Sequence, residues 1–221
     1  MYSSYSSLQR KQLTTQTYTD TQSTYLLVYA PRRRSALARA LENQLHRKFR
    51  LVDRLEGELS DSVEGVLLVS EDVECTSTAL TYFAAALRDG ADLVVCDAVF
   101  GFEGNTALYL STQHLPGMRC AMVSRALLDR CRAEARGRDN INELLLLANR
   151  LAERCCRVPQ ALLHFRRELC AGDVFSATGK RAVVMTHELT MTGAPIVLVS
   201  AIPVLRQMGY DVVVLGPSDE G

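Results

Sequence analysis

The sequence predicts an α/β protein: a layered sheet with helices on both faces, followed by a short βαβ unit. Three observations carry this. Short, nearly continuous apolar runs recur at 25–30 (TyrLeuLeuValTyrAla), 65–69 (GlyValLeuLeuVal) and 92–97 (AspLeuValValCysAsp), as strands buried on both faces require. Segments with apolar residues at helical spacing lie between them. Past a small-residue stretch at 171–180, a fresh strand–helix–strand pattern starts at Arg181. Strands alternating with helices imply parallel crossover connections.

Residues 1–24 are Ser, Thr, Gln and Tyr with almost no aliphatic content. They bury too little apolar surface to offset ordering entropy and read as a disordered tail. A first domain then runs over 25–170. Ser35 N-caps a helix with Leu37, Leu41 and Leu45 on one face. Thr76 or Ser77 caps a second helix that ends at Gly90 in the C′ position. Residues 119–124 read as a strand feeding a helix from Arg125 to Ala135. Ile141, Leu144, Leu145, Ala148 and Leu151 mark a core-facing helix. Residues 159–167 read as a turn and a short extended segment. Residues 171–180 form the linker. The terminal unit, 181–221, comprises a strand, a loop from His187, a helix to Met208 and a strand from Asp211. Alone it buries little and leaves a sheet edge open, so it either docks on the first domain or belongs to a longer natural protein.

Twenty-five acidic and twenty-five basic residues cancel, which argues against a nucleic-acid binder driven by bulk charge. ProArgArgArg at 31–34 is a local basic patch or a solvated turn entering a helix. The seven cysteines include no CxxC pair, and several lie in apolar runs where a thiol packs as a small hydrophobe. The odd count and the absence of a signal peptide favour a reducing cytosol. No run supplies the roughly 20 apolar residues of a spanning helix, so any membrane contact is peripheral. Neither GxGxxG nor a P-loop lysine occurs, which removes the signatures of a dehydrogenase or a P-loop protein.

HisGluLeuThrMetThrGlyAlaPro at 187–195, between a strand and a long helix, resembles the N-terminal start of family-four glycosyltransferases of GT-B architecture. The resemblance implies transfer of a sugar from a nucleotide-diphosphate donor. It assigns Gly193 and the Ala194 backbone to the diphosphate, where a helix N-terminus offers free N–H groups. Pro195 suits the first helical turn. His187 could approach the sugar in the family's manner, or cap or pack as a loop histidine. A tight turn in any α/β protein would use the same Gly-Ala-Pro.

The earlier segment resembles a reduced family-two glycosyltransferase domain of GT-A architecture, on three anchors taken in order. These are the helix from Ser35 to Phe49, the strand ValLeuLeuValSerGluAspValGlu at 66–74, and ValProGlnAlaLeuLeuHisPheArgArg at 158–167. The resemblance puts Ser70, Glu71 and Asp72 in the register of the family's Asp-x-Asp. Asp72, helped by Glu71 or Glu74, becomes the ligand of Mn or Mg; a polar strand end capping the next helix is the other reading. Asp53 takes the place of the base-binding aspartate. Asp139 or Glu143 stands where the catalytic base belongs, at a helix N-terminus that also favours an acidic residue for its dipole. His164 is a late metal ligand or a half-buried strand residue.

The chain thus reads as a Rossmann-like, GT-A-like layered sheet followed by an incomplete βαβ of GT-B type. The implied function is a cytoplasmic glycosyltransferase, or the N-terminal part of one, at the inner face of the membrane. It would take a nucleotide-sugar donor and a glycan or lipid-linked acceptor in polysaccharide synthesis, with no nucleic-acid partner. The other reading is a catalytically inactive glycosyltransferase-like module that binds or scaffolds.

Overall fold

The computed structural model of the protein describes residues 23–31, 35–102, 105–110, 119–168, 180–186 and 193–217. Most of the tail, Arg32 to Arg34, the stretch 171–179 of the linker and His187 lie outside the described residues.

The strands are β1 (Tyr25–Tyr29), β2 (Phe49–Val52), β3 (Val63–Val69), β4 (Val73–Cys75), β5 (Leu93–Phe102), β6 (Asn105–Leu110), β7 (Cys120–Ser124), β8 (Cys155–Glu168), β9 (Arg181–Met185) and β10 (Asp211–Gly216). The helices are α1 (Ser35–Glu42), α2 (Ala79–Arg88), α3 (Arg125–Glu134), α4 (Ile141–Leu151) and α5 (Gly193–Gln207). All ten strands join one sheet, in the order β2-β1-β3-β7-β5-β6-β10-β9, with β8 beside β5 and β4 on β8.

Only part of the sheet is parallel. β1 pairs in parallel with both β2 and β3, and β5 with β8. β7 runs antiparallel between β3 and β5. The long strand β5 is shared. Leu93 and Val94 pair with β7, whereas Ala98 to Phe102 pair with β6, and β8 lies along the other edge throughout. The sheet therefore forks at β5, and one branch continues through β6 to β10 and β9.

Alternate residues of the central strands feed two cores, as the period of two demands. Leu26, Val28, Leu67, Val69, Val94 and Met122 face α1 and α2, packing on Leu37, Leu80 and Phe83. Leu27, Tyr29, Val66, Leu68, Leu93 and Val123 face α3 and α4, packing on Leu127, Leu128, Leu144 and Ala148. Gly65 packs closely in β3: an added Cβ would lie 2.3 Å from Leu87 Cδ1 and 3.2 Å from the Val123 carbonyl, so the Leu87 side chain would have to move.

Local signals placed several ends correctly. Ser124 caps α3 by accepting from Leu127 N at 3.1 Å. Gly90 follows α2 at φ +87°, the left-handed conformation glycine tolerates. Elsewhere the structure departs from the sequence reading. Neither Thr76 nor Ser77 is the cap of α2; Thr78 holds that position without a side-chain cap bond. The buried Gln44 supplies the bond instead, its Oε1 accepting from Leu80 N at 3.2 Å while Nε2 donates to Thr76 O at 2.7 Å. The turn that delivers Gln44 ends α1 at Glu42, so Leu45 leaves the helical face and is 41% exposed.

The segment expected to be a turn and short extension is a strand of 14 residues, β8. Pro159 is tolerated because the β5–β8 register shifts between Cys96 and Asp97, a bulge where no ladder N–H is missed. β4 and β6 had no clear sequence signal. β9, α5 and β10 form the expected βαβ unit, with β9 and β10 parallel. That unit docks: β10 pairs antiparallel with β6 from Val212–Leu110 to Gly216–Thr106.

Candidate functional site

In an open sheet, ligands bind beyond the carboxyl ends of parallel strands, where the strand order reverses. Here β1 leads to β2 on one side, and β3 returns to the other side of β1. The reversal lies between the carboxyl ends of β1 and β3. Asp53 follows β2 and is exposed; Ser70, Glu71 and Asp72 follow β3.

Two groups of side chains form there. The first surrounds Tyr29 at the end of β1. Its hydroxyl donates to the main-chain carbonyl of Asp139 at 2.8 Å. Burial pushes the phenol pKa up, with the Asp139 and Asp53 carboxylates adding to the rise and Arg132 opposing it. The structure thus brings Asp53 and Asp139 about one phenol. The Asp139 carboxylate itself is held by Arg132, with Nε donating to Oδ1 at 2.8 Å and Nη2 to Oδ2 at 3.4 Å. Both carboxylate oxygens of Asp139 thus accept from one cation. Asn140 caps α4, accepting from Asn142 N at 3.1 Å and Glu143 N at 3.3 Å, which fixes Glu143 in the first helical turn.

The second group lies at the end of β3. Ser70 Oγ donates to the Arg119 carbonyl at 2.8 Å, which ties the end of β3 to the residue before β7. Glu71 Oε1 lies 3.4 Å from Arg119 Nε. Glu74 accepts from Arg166 Nε at 3.0 Å, and the Asp72 carbonyl accepts from Arg166 N at 3.2 Å. His164 stands opposite Glu74 across the β4–β8 ladder and is exposed, rather than half-buried. Asp72 Oδ1 is buried without a hydrogen-bond partner. That orphaned oxygen is the feature here that fits a cation. Among the described residues, no group of three or more His, Cys, Asp or Glu side chains gathers to hold a metal. A cation at Asp72 would draw its remaining ligands from substrate oxygens and water.

Gly193 and Ala194 lie elsewhere, in the first turn of α5 on the outer branch of the sheet. The sequence reading missed Tyr29, Arg119, Arg132 and Arg166. Tyr29 sat inside an apolar run as an ordinary strand residue. The arginines lie far in sequence from the carboxylates they hold, apart from Arg132, seven residues before Asp139.

The thiols behave as the composition implied. Cys75, Cys96, Cys120 and Cys131 are buried and free. Burial pushes Cys75 up to about 12 and Cys131 up to about 11, which leaves them protonated and inert. No helix among the described residues is long and apolar enough to cross a membrane.

No curated protein and no solved structure matches the chain. Residues 178–221 match the family model described as Glycosyl-transferase family 4, and that segment contains the whole β9–α5–β10 unit, which links the unit to glycosyl transfer.

Proposed function

We propose that the protein is a glycosyltransferase, or the N-terminal part of one. In this reading it moves a sugar from a nucleotide-diphosphate donor to a glycan or lipid-linked acceptor in polysaccharide synthesis. The observation that carries the reading is the coincidence of the family match with a βαβ unit whose helix opens on Gly193. Free N–H groups at the start of a 15-residue helix suit a diphosphate, and the glycine lets it approach the backbone.

The body from Tyr25 to Glu168 is read as GT-A-like. The parallel trio β2-β1-β3, with its order reversal at β1 and acidic strand ends, supports this. Asp72 would hold a Mn or Mg ion with Glu71 beside it, and such an ion would neutralise the donor's phosphates. Asp53 and Tyr29 flank the nucleotide. Asp139, released by Arg132, or Glu143 takes the acceptor proton. The setting is the cytosol, with peripheral contact where a lipid-linked acceptor is presented.

A second reading has specific support. Arg132 on Asp139 and Arg119 on Glu71 occupy the carboxylates that catalysis would need. A catalytically inactive module that binds or scaffolds would keep such pairs permanently. Calorimetric titration of UDP-sugars with manganese decides between the two. The transferase reading expects saturable binding, weakened at least about tenfold by Asp72→Ala, which is a loss of about 1.4 kcal/mol. No binding by the parent or the variant favours the inactive module.

A further inference from the structure

The fork in the sheet holds a buried charge cluster that neither reading of the site uses. Asp97 sits on β5 between Val94, the last residue paired with β7, and Ala98, the first paired with β6. The β8 register also shifts beside it. Its side chain is 1% exposed. Arg157 of β8 donates to Asp97 Oδ1. Arg206, from the last turn of α5, brings Nη2 within 3.7 Å of the same oxygen. Both arginines are mostly buried, at 16% and 18% exposure. One carboxylate of the first body therefore binds a cation from its own β8 and a cation from the family-matched unit.

The docking seam needs such a mark. β10 joins β6 by main-chain pairing, and its sequence AspValValValLeuGly is uniform in the middle. All six of its residues are buried. A slip by two residues keeps every side chain on its own face: with Val212 opposite Leu108, valine replaces valine there, while Asp211 takes the place of Val213 opposite Tyr109. Main-chain bonds are alike in the two registers, so charged groups decide between them. A slip of two residues moves the strand by roughly 6.6 Å. That displacement would carry Arg206 out of reach of Asp97. Buried ionic groups add little net stability but can specify register, since the wrong register leaves a charge without its partner.

We propose that the Arg157–Asp97–Arg206 cluster is the register key that fixes where the β9–α5–β10 unit docks on the first body. Asp97 and Arg157 stay paired when the unit is absent, so the first body folds with its charge satisfied. Arg206 then selects the one seam that completes the cluster.

Cross-strand cysteine trapping in the full chain tests this, with cross-linked peptides identified by mass spectrometry. Cysteines at Leu108 and Val214 report the observed register, because these positions are partners. Cysteines at Leu108 and Val212 report the register slipped by two. In the parent, the first pair is expected to cross-link and the second to remain at least about tenfold lower. Arg206→Gln, which keeps a helix-forming side chain, is expected to raise the second at the expense of the first. Asp97→Asn should act the same way; if it unfolds the first body, Arg206→Gln carries the test alone. An unchanged ratio in Arg206→Gln overturns the proposal. So does a parent in which both pairs cross-link equally, or in which the first fails to form. Sugar-nucleotide binding does not enter the readout, so the outcome is independent of the proposed activity.

Discussion

The body from Tyr25 to Glu168 and the unit from Lys180 to Pro217 share one sheet but differ in how they are covered. In the body, strands carry a core on each face, and Phe83, Leu67, Leu80, Leu127 and Leu128 are fully buried. In the unit, Val212 to Leu215 are buried, and half-buried Ala182, Val184, Ile202 and Leu205 pack on Val212 and Val214. Met185, Val197, Val204 and Met208 are exposed. The body can hold its shape by side-chain packing. The unit joins the body through its seam with β6. The family match falls on the thinly covered unit, while the carboxylate-bearing strand ends belong to the well-packed body.

The difference can be broken most directly with core truncations. Phe83→Ala is expected to cost about 3–5 kcal/mol and to lower the urea midpoint of the whole chain. Val184→Ala is expected to cost about 1 kcal/mol, visible as faster hydrogen exchange in β9 and β10 alone. Equal losses would mean that the two regions are packed alike.

A polar contact inside the body gives a smaller effect. Gln44 bridges the end of α1 to the start of α2 through Thr76 O and Leu80 N. Gln44→Ala should cost about 1–3 kcal/mol, because it strands a buried acceptor and an amide. Loss of protection at Leu80 without change in β10 would sharpen the contrast. A variant as stable as the parent would show that water replaces the side chain.

Acid should act through the body as well. His46 is buried, and burial lowers its pKa below 6.5 despite a hydrogen bond between its Nε2 and the Lys48 main-chain carbonyl that opposes the shift. The fold therefore keeps His46 neutral. Its contribution is intact above about pH 6.5 and declines as pH falls below that, when the unfolded chain takes up a proton the fold resists. Urea midpoints measured from pH 8 to pH 5 should fall on the acid side, and His46→Gln should flatten that arm. An arm of unchanged slope in the variant would assign the acid loss to other groups.

Much of the body was legible because its signals are local. The runs at 25–30 and 65–69 became β1 and β3, and the apolar spacing from Ile141 became α4. Asp53 and Asp72 were singled out by the resemblance to family-two glycosyltransferases, and the structure sets them just past β2 and β3. β6 escaped notice because AsnThrAlaLeuTyrLeu becomes a strand only between two partners. β8 was shortened in the reading because Pro159 looked like an end, and only the bulge opposite Cys96 and Asp97 makes room for it.

The sequence by itself determined most of the strands and helices, that the thiols are packing groups, and that a βαβ unit follows Lys180. These depend on periodicity, capping and glycine geometry within a few residues. Tertiary structure alone decided that β5 forks, that Gln44 caps a helix 36 residues away, and that Asp97 meets Arg206 across 109 positions. It also decided that Arg132 holds Asp139 and Arg119 holds Glu71. The physical reason is common to all of these. Charge and hydrogen-bond pairing act over a few ångströms in space, and a sequence records no distances between residues that only the folded chain brings together.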